Sequence, residues 1–135
     1  MIETIESEQL LQRSRDMGDY LAERLRELQS RHEEIGDVRG MGLLRGIELV
    51  RDRETREPHH ELGALTTQRC LELGLSMNIR RRPERGSVWR IAPPLTVTRA
   101  DIDLAMTIFD QALVESKEAL AGRSKAGKTL ARRTA

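Results

Sequence analysis

Arg90 stands in an alternating apolar run, Val88-Trp89-Arg90-Ile91-Ala92, which Pro93 and Pro94 bring to a stop. A guanidinium at a strand end can grip a carboxylate, because its planar fork presents paired donors that match the two oxygens. Position alone leaves a second reading open, a strand arginine paired with a neighbouring acidic side chain. Alternation along the strand turns Trp89 to the opposite face, toward a core. Pro93-Pro94 either ends the strand with trans bonds, the base-rate expectation, or holds a cis bond that aims Arg90.

Other side chains with chemical potential lack the partners that chemistry needs. His59 and His60 are adjacent in a polar turn without a third spaced ligand, so no metal site is expected. His32, near a helix end, reads as a surface residue. Cys70 lies among leucines on a helix and reads as a buried, inert thiol. Glu33-Glu34 and the pair Asp101 and Asp103 have no neighbouring base and fit helix-end solvation and capping. Lysine occurs only at positions 117, 125 and 128, all toward the C-terminus.

The elements that must position Arg90 follow from periodicity. From about Glu6 to Ser30 the apolar positions Leu10, Met17, Leu21, Leu25 and Leu28 predict an amphipathic helix. Gly36, Gly40 and Gly42 mark turns or close backbone approach, with room for a short strand around Val38. Leu43 to Val50 reads as a strand, and Arg51 to Glu57 as a charged turn that Pro58 closes. Leu62 to Leu73 is a second helix, stopped by Gly74. Leu75 to Ile79 alternates as a strand. Arg80 to Gly86 is a basic loop, and Ser87 to Ala92 is the strand that carries Arg90. Thr98 with Asp101 resembles a capping box opening a last helix, with Ile102, Ala105, Met106, Phe109 and Leu113 on its buried side. Apolar spacing fails from about Lys117. Residues 1–116 therefore read as one domain and residues 117–135 as a basic, disordered tail. The element order predicts an α+β domain, a short antiparallel or mixed sheet with helices packed on one face.

Composition bounds the function. The chain has 135 residues, with 38% hydrophobic and 33% charged residues, enough for one domain with a modest core. Three aromatics, Tyr20, Trp89 and Phe109, leave that core mostly aliphatic. A net charge of +1 argues against whole-domain nucleic-acid binding. No apolar run is long enough to span a membrane. One cysteine and an acidic N-terminus without an apolar core set a cytoplasmic location as the expectation.

Three segments carry a family likeness. Gly36-Asp37-Val38-Arg39-Gly40-Met41-Gly42-Leu43-Leu44-Arg45-Gly46-Ile47-Glu48-Leu49-Val50, Leu73-Gly74-Leu75-Ser76-Met77-Asn78-Ile79 and Arg90-Ile91-Ala92-Pro93-Pro94-Leu95-Thr96-Val97 occur in suitable order and spacing. Over roughly residues 8 to 114 the chain resembles the C-terminal small domain of class III pyridoxal-phosphate aminotransferases, the ornithine and 4-aminobutyrate type. Within that class it is most similar to the 2,2-dialkylglycine decarboxylases, on Gly74 to Ile79 and on Asp101-Ile102-Asp103. The four arginines Arg80, Arg81, Arg82 and Arg85 depart from the pattern, which is less basic there.

The resemblance implies the small domain of a fold-type I enzyme, whose large domain holds pyridoxal 5'-phosphate. It implies amino-group transfer between an amino acid and a 2-oxo acid, in one branch coupled to decarboxylation. It assigns Arg90 to the substrate carboxylate. It places no catalytic, cofactor-binding or metal-binding residue in this chain. The expected partners are a large cofactor domain, in the same or a split chain, and a second copy in a homodimer. As a C-terminal segment lacking the Schiff-base lysine, the isolated chain is expected to be inactive and to bind no cofactor alone. Two other readings stay open: a stand-alone non-catalytic domain that binds a protein partner or a small carboxylate, and a nucleic-acid accessory protein acting through its basic tail.

Overall fold

The computed structural model describes the backbone of residues 1–82 and 86–133, and their side chains except at 80–82 and 127–133. A short helix α1 (Ile2–Ser7) precedes the long helix α2 (Leu10–Arg31). The sequence predicts one helix here. The break falls at Gln9, which takes a left-handed conformation with φ 49°. The apolar stripe behaves as predicted, with Leu21, Leu25 and Leu28 buried against the rest of the domain.

Next come strands β1 (Ile35–Met41) and β2 (Leu44–Leu49), helix α3 (His60–Glu72), and strands β3 (Asn78–Arg82) and β4 (Gly86–Ile91). The four strands form one antiparallel sheet in the order β1-β2-β4-β3. β2 and β4 are the central pair. Ile35, Ile47, Leu49 and Trp89 are fully buried beneath the helices, together with Phe109, Ala112 and Leu113 of the last helix. The other sheet face carries Arg39, Met41, Leu44 and Arg90 into solvent. This is the α+β architecture expected, with helices on one face only.

Three further elements differ from expectation. β1 is a full seven-residue strand, not a short one. Its glycines look like turn residues, but only Gly42 makes the turn, with φ 52° at the first position of a two-residue connection. The third strand begins three residues later than predicted. Gly74, with φ 95°, ends α3 as expected, and Leu75 N–H still bonds back to Cys70. Leu75 and Met77 therefore pack toward the core outside the sheet, and pairing with β4 starts only at Asn78. In the basic stretch, residues 80–82 belong to β3, and Pro83, Glu84 and Arg85 lie outside the described residues.

The third difference is the tail. α4 (Arg99–Arg133) continues as helix far beyond Lys117. Alanine, leucine, lysine and arginine dominate this stretch and all favour helix. Leu120 still packs on the core, and Lys117 reaches Glu34 at 2.9 Å. The loss of apolar spacing marks the loss of a buried face, not of the helix.

Two backbone features hold α2 to the sheet. Gly18 faces Gly42 so closely that an added Cβ would lie 2.3 Å from the Gly42 carbonyl carbon. The buried Arg45 guanidinium donates to the carbonyls of Gly18, Gly40 and Gly42, at 3.0, 2.9 and 2.9 Å. Gly18→Ala is expected to lower stability by about 3 kcal/mol, the upper end of ordinary overpacking, because backbone and not a flexible side chain must yield. Urea denaturation followed by circular dichroism would show it; an unchanged midpoint would mean α2 and the hairpin separate at no cost.

Candidate functional site

Arg90 reaches its position through the register of the central strands. On β4 it pairs with Gly46 of β2 on one side and Asn78 of β3 on the other. Trp89, one residue earlier, turns inward as predicted. Its indole N–H donates to Thr67 Oγ1 at 2.8 Å, and its ring meets Phe109 edge-on at 4.8 Å. This anchoring fixes which face receives residue 90, since a slip of one residue would exchange the two. All peptide bonds of the described residues are trans, Pro93 and Pro94 included.

The guanidinium of Arg90 is exposed and, among the described residues, has no hydrogen-bond or ion-pair partner. Other arginines of the sheet differ. Arg39 pairs with Asp37 at 2.7 Å and with Glu48 at 3.2 Å, and Glu48 also takes Arg56 at 2.7 Å. Arg45 is committed to three carbonyls. Among the described residues, the acidic side chains Asp37 and Glu48 of this face are thus already engaged by other arginines, and neither pairs with Arg90.

Arg90 borders two spaces. On the open face a shallow groove of about 330 Å3 runs past Met41, Leu44, Gly46 and Val88. Met41 is 86% exposed and Leu44 56%, unusual for large apolar side chains at a hairpin tip. At the end of β4 a cavity of about 410 Å3 lies between the segment 75–78, the Ala92-Pro93 exit and the first turns of α4. Asp101 is on its edge. That carboxylate completes the predicted capping box, accepting from Thr98 Oγ1 at 2.6 Å and Thr98 N–H at 2.9 Å, while Asp101 N–H donates to Thr98 Oγ1. These bonds hold the carboxyl below its usual range.

The remaining candidates have structural roles. His32 is buried, not on the surface, and pairs through Nε2 with Asp110 of α4. It lies near the end of α2, and the packing of α4 covers it. His59 caps α3, its Nδ1 accepting from Leu62 N–H at 3.4 Å, and both His59 and His60 are half-buried. No described group of His, Cys, Asp and Glu could hold a metal. Cys70 is fully buried, and burial pushes its thiol up to about 12. In the native protein it is expected to resist thiol reagents such as dithionitrobenzoate at about pH 8 and to react only on unfolding, since the thiolate is the nucleophile. Rapid native labelling would contradict this. Tyr20 makes a contact without a cue in the sequence: it donates to Asp103 at 2.6 Å, and Arg99 lies 4.6 Å from its ring centre.

No helix of the described residues is long and apolar enough to cross a membrane. The family model for class-III aminotransferases matches residues 1–113. An uncharacterized aminotransferase of Schizosaccharomyces pombe is 38% identical over 122 residues, 90% of this chain and 27% of its own length. A leucine/methionine racemase of Thermococcus litoralis is 37% identical over 122 residues, again 90% of this chain and 27% of its own. Among solved structures, an aminotransferase of Bacillus anthracis superposes with a TM-score of 0.79 at 36% identity, covering 84% of this chain and 26% of its own. The chain thus spans about a quarter of the length of the relatives it matches. On the strength of the family match, this chain belongs to the class-III aminotransferases.

Proposed function

We propose that this chain supplies the small domain of a pyridoxal-phosphate-dependent transaminase, in which Arg90 binds the carboxylate of the amino acid and of the 2-oxo acid. The observation that carries this reading is the guanidinium of Arg90, without a partner among the described residues and displayed on the sheet face by a buried tryptophan behind it. A group so placed gains two charge-assisted hydrogen bonds when a carboxylate arrives and gives up none to the described residues. The exposed Met41 and Leu44 beside it support a covering partner on the same face, which in this reading is the large cofactor domain. Assembly as a homodimer and a cytoplasmic location belong to the same proposal.

Pyridoxal phosphate needs a lysine to hold it and supplies the electron sink for chemistry at the α-carbon. The described residues do not fit it by themselves. Lys117 is engaged with Glu34, and neither Lys117 nor Lys125 lines either space beside Arg90. The side chain of Lys128 lies outside the described residues. Arg90 therefore orients substrate, and no proton transfer is assigned to this chain; alone it is expected to turn nothing over. Decarboxylation coupled to transfer, as in the 2,2-dialkylglycine decarboxylases, fits the same role, since a carboxylate held by its oxygens can be set across the plane of the cofactor.

The test is a chimera in which residues 1–116 replace the corresponding segment of a class III transaminase. Amino transfer from an amino acid to a 2-oxo acid is the expected result. A chimera that folds and takes up cofactor yet transfers from no amino acid would remove the reading.

A further inference from the structure

The cavity at the end of β4 has the size and lining of a small-molecule site. Its volume is about 410 Å3, and its lining is mostly apolar, with Leu21, Leu75, Met77, Pro93, Ile102 and Met106 among it. Binding sites for small organic molecules have volumes of this order, apolar walls and a few polar groups that set orientation. Two charged residues are among its lining, Asp101 and Arg90, the latter at the end of β4 where the cavity opens. Asp101 is already satisfied by Thr98. Arg90 has no partner among the described residues. Asp101 keeps its negative charge on the rim with its Oδ2 taken up by Thr98, so the cation free to pair with an anionic head group is Arg90, and the apolar lining favours hydrocarbon.

We infer that this cavity receives the aliphatic tail of a monocarboxylate whose head group is held by Arg90. The inference rests on the reading of Arg90 as a carboxylate clamp and adds the class of side chain that goes with it. The fork of Arg90 takes the two oxygens. The methylenes beyond them leave water for the wall formed by Met77, Pro93, Ile102 and Met106. The competing course for the tail is the shallow groove past Met41 and Leu44, which Arg90 also borders.

The chain carries its own reporters for the two courses. Its five methionines are Met1, Met17, Met41, Met77 and Met106. Met77 and Met106 line the cavity, and Met41 lines the groove. The experiment is a titration of the full 135-residue chain, carbon-13 labelled at the methionine methyls, with butyrate, hexanoate, octanoate and the uncharged octanol. Octanoate is expected to shift Met77 and Met106 and to leave Met41 in place. Affinity is expected to rise roughly fourfold per buried methylene along the series. Arg90→Ala is expected to weaken octanoate about tenfold or more, the worth of a hydrogen bond to a charged group. Ala105→Phe, which fills the cavity from α4, is expected to abolish the Met77 and Met106 shifts.

A shift of Met41 alone, lost in Arg90→Ala, would overturn the cavity and leave the clamp intact. Shifts at Met77 and Met106 that octanol reproduces, or that survive Arg90→Ala unchanged, would overturn the pairing of head group and tail. No methyl shift at millimolar octanoate would overturn the inference outright, and the kinetics of Arg90→Ala in the chimera would then decide separately whether the clamp stands.

Discussion

In the chimera, Arg90→Ala is expected to lower kcat/KM for an amino acid donor at least about 100-fold. That factor corresponds to about 2.7 kcal/mol of lost transition-state binding. It lies within the range for removing one partner of a desolvated charge pair. The free domain shows why the loss is concentrated in one residue. Arg39 and Arg45 cannot substitute, since Asp37 and Glu48 hold one and three backbone carbonyls hold the other. Arg90→Lys is expected to recover little of the loss, because an ammonium cannot present paired donors to a carboxylate. A donor amine without a carboxylate separates this role from a general effect on folding: its kcat/KM is expected to change little. Equal losses for both donors, or no loss for either, would dismiss the clamp.

The second large effect is on stability. Trp89→Ala is expected to cost about 3–5 kcal/mol, the range for truncating a large buried aromatic. Trp89 is fully buried, packs edge-on against Phe109 and bonds Thr67. It therefore ties the central strand to both α3 and α4. Against the about 5–15 kcal/mol that ordinary domains possess, such a loss leaves the chain barely folded. Circular dichroism in urea is the suitable probe, because the substitution removes the only tryptophan. A loss below about 1 kcal/mol would mean that β4 is not anchored through this ring. The two predictions concern adjacent residues of one strand, one turned inward to the core and one outward to solvent.

Much of this arrangement was legible in the residues. The α2 stripe, the Trp89 and Arg90 alternation, the Gly74 stop and the Thr98 and Asp101 cap are local patterns, and each is present in the fold. Local patterns could not define β1. Its residues alternate poorly, and it is a strand because β2 supplies its hydrogen bonds. Nor could they locate the start of β3, which depends on how far the end of α3 carries the chain before β4 is within reach. His32 was misplaced for a related reason: a polar residue near a helix end reads as surface unless one knows that α4 lies over it. At the site, the residue type and the strand were readable, but the lack of a described partner for the guanidinium was not. That follows from Asp37 and Glu48 being engaged by Arg39 and Arg56, pairings that only the register and the turn before α3 establish.

The strand order β1-β2-β4-β3 also constrains when Arg90 comes into place during folding. The hairpin of β1 and β2 joins neighbours in sequence and can close early. The pairing of Gly46 with Arg90 must wait until α3 and β3 have been passed, and contacts such as Arg13 to the Leu95 carbonyl span 82 positions. Closing such long loops costs entropy before any contact rewards it, which makes this the slow part of assembly. On the ribosome, a nascent chain that has emerged only through α3 has a hairpin and helices but no completed sheet. The groove and the cavity beside Arg90 thus wait for β3, β4 and α4, and the domain closes them in the same late step that completes its core.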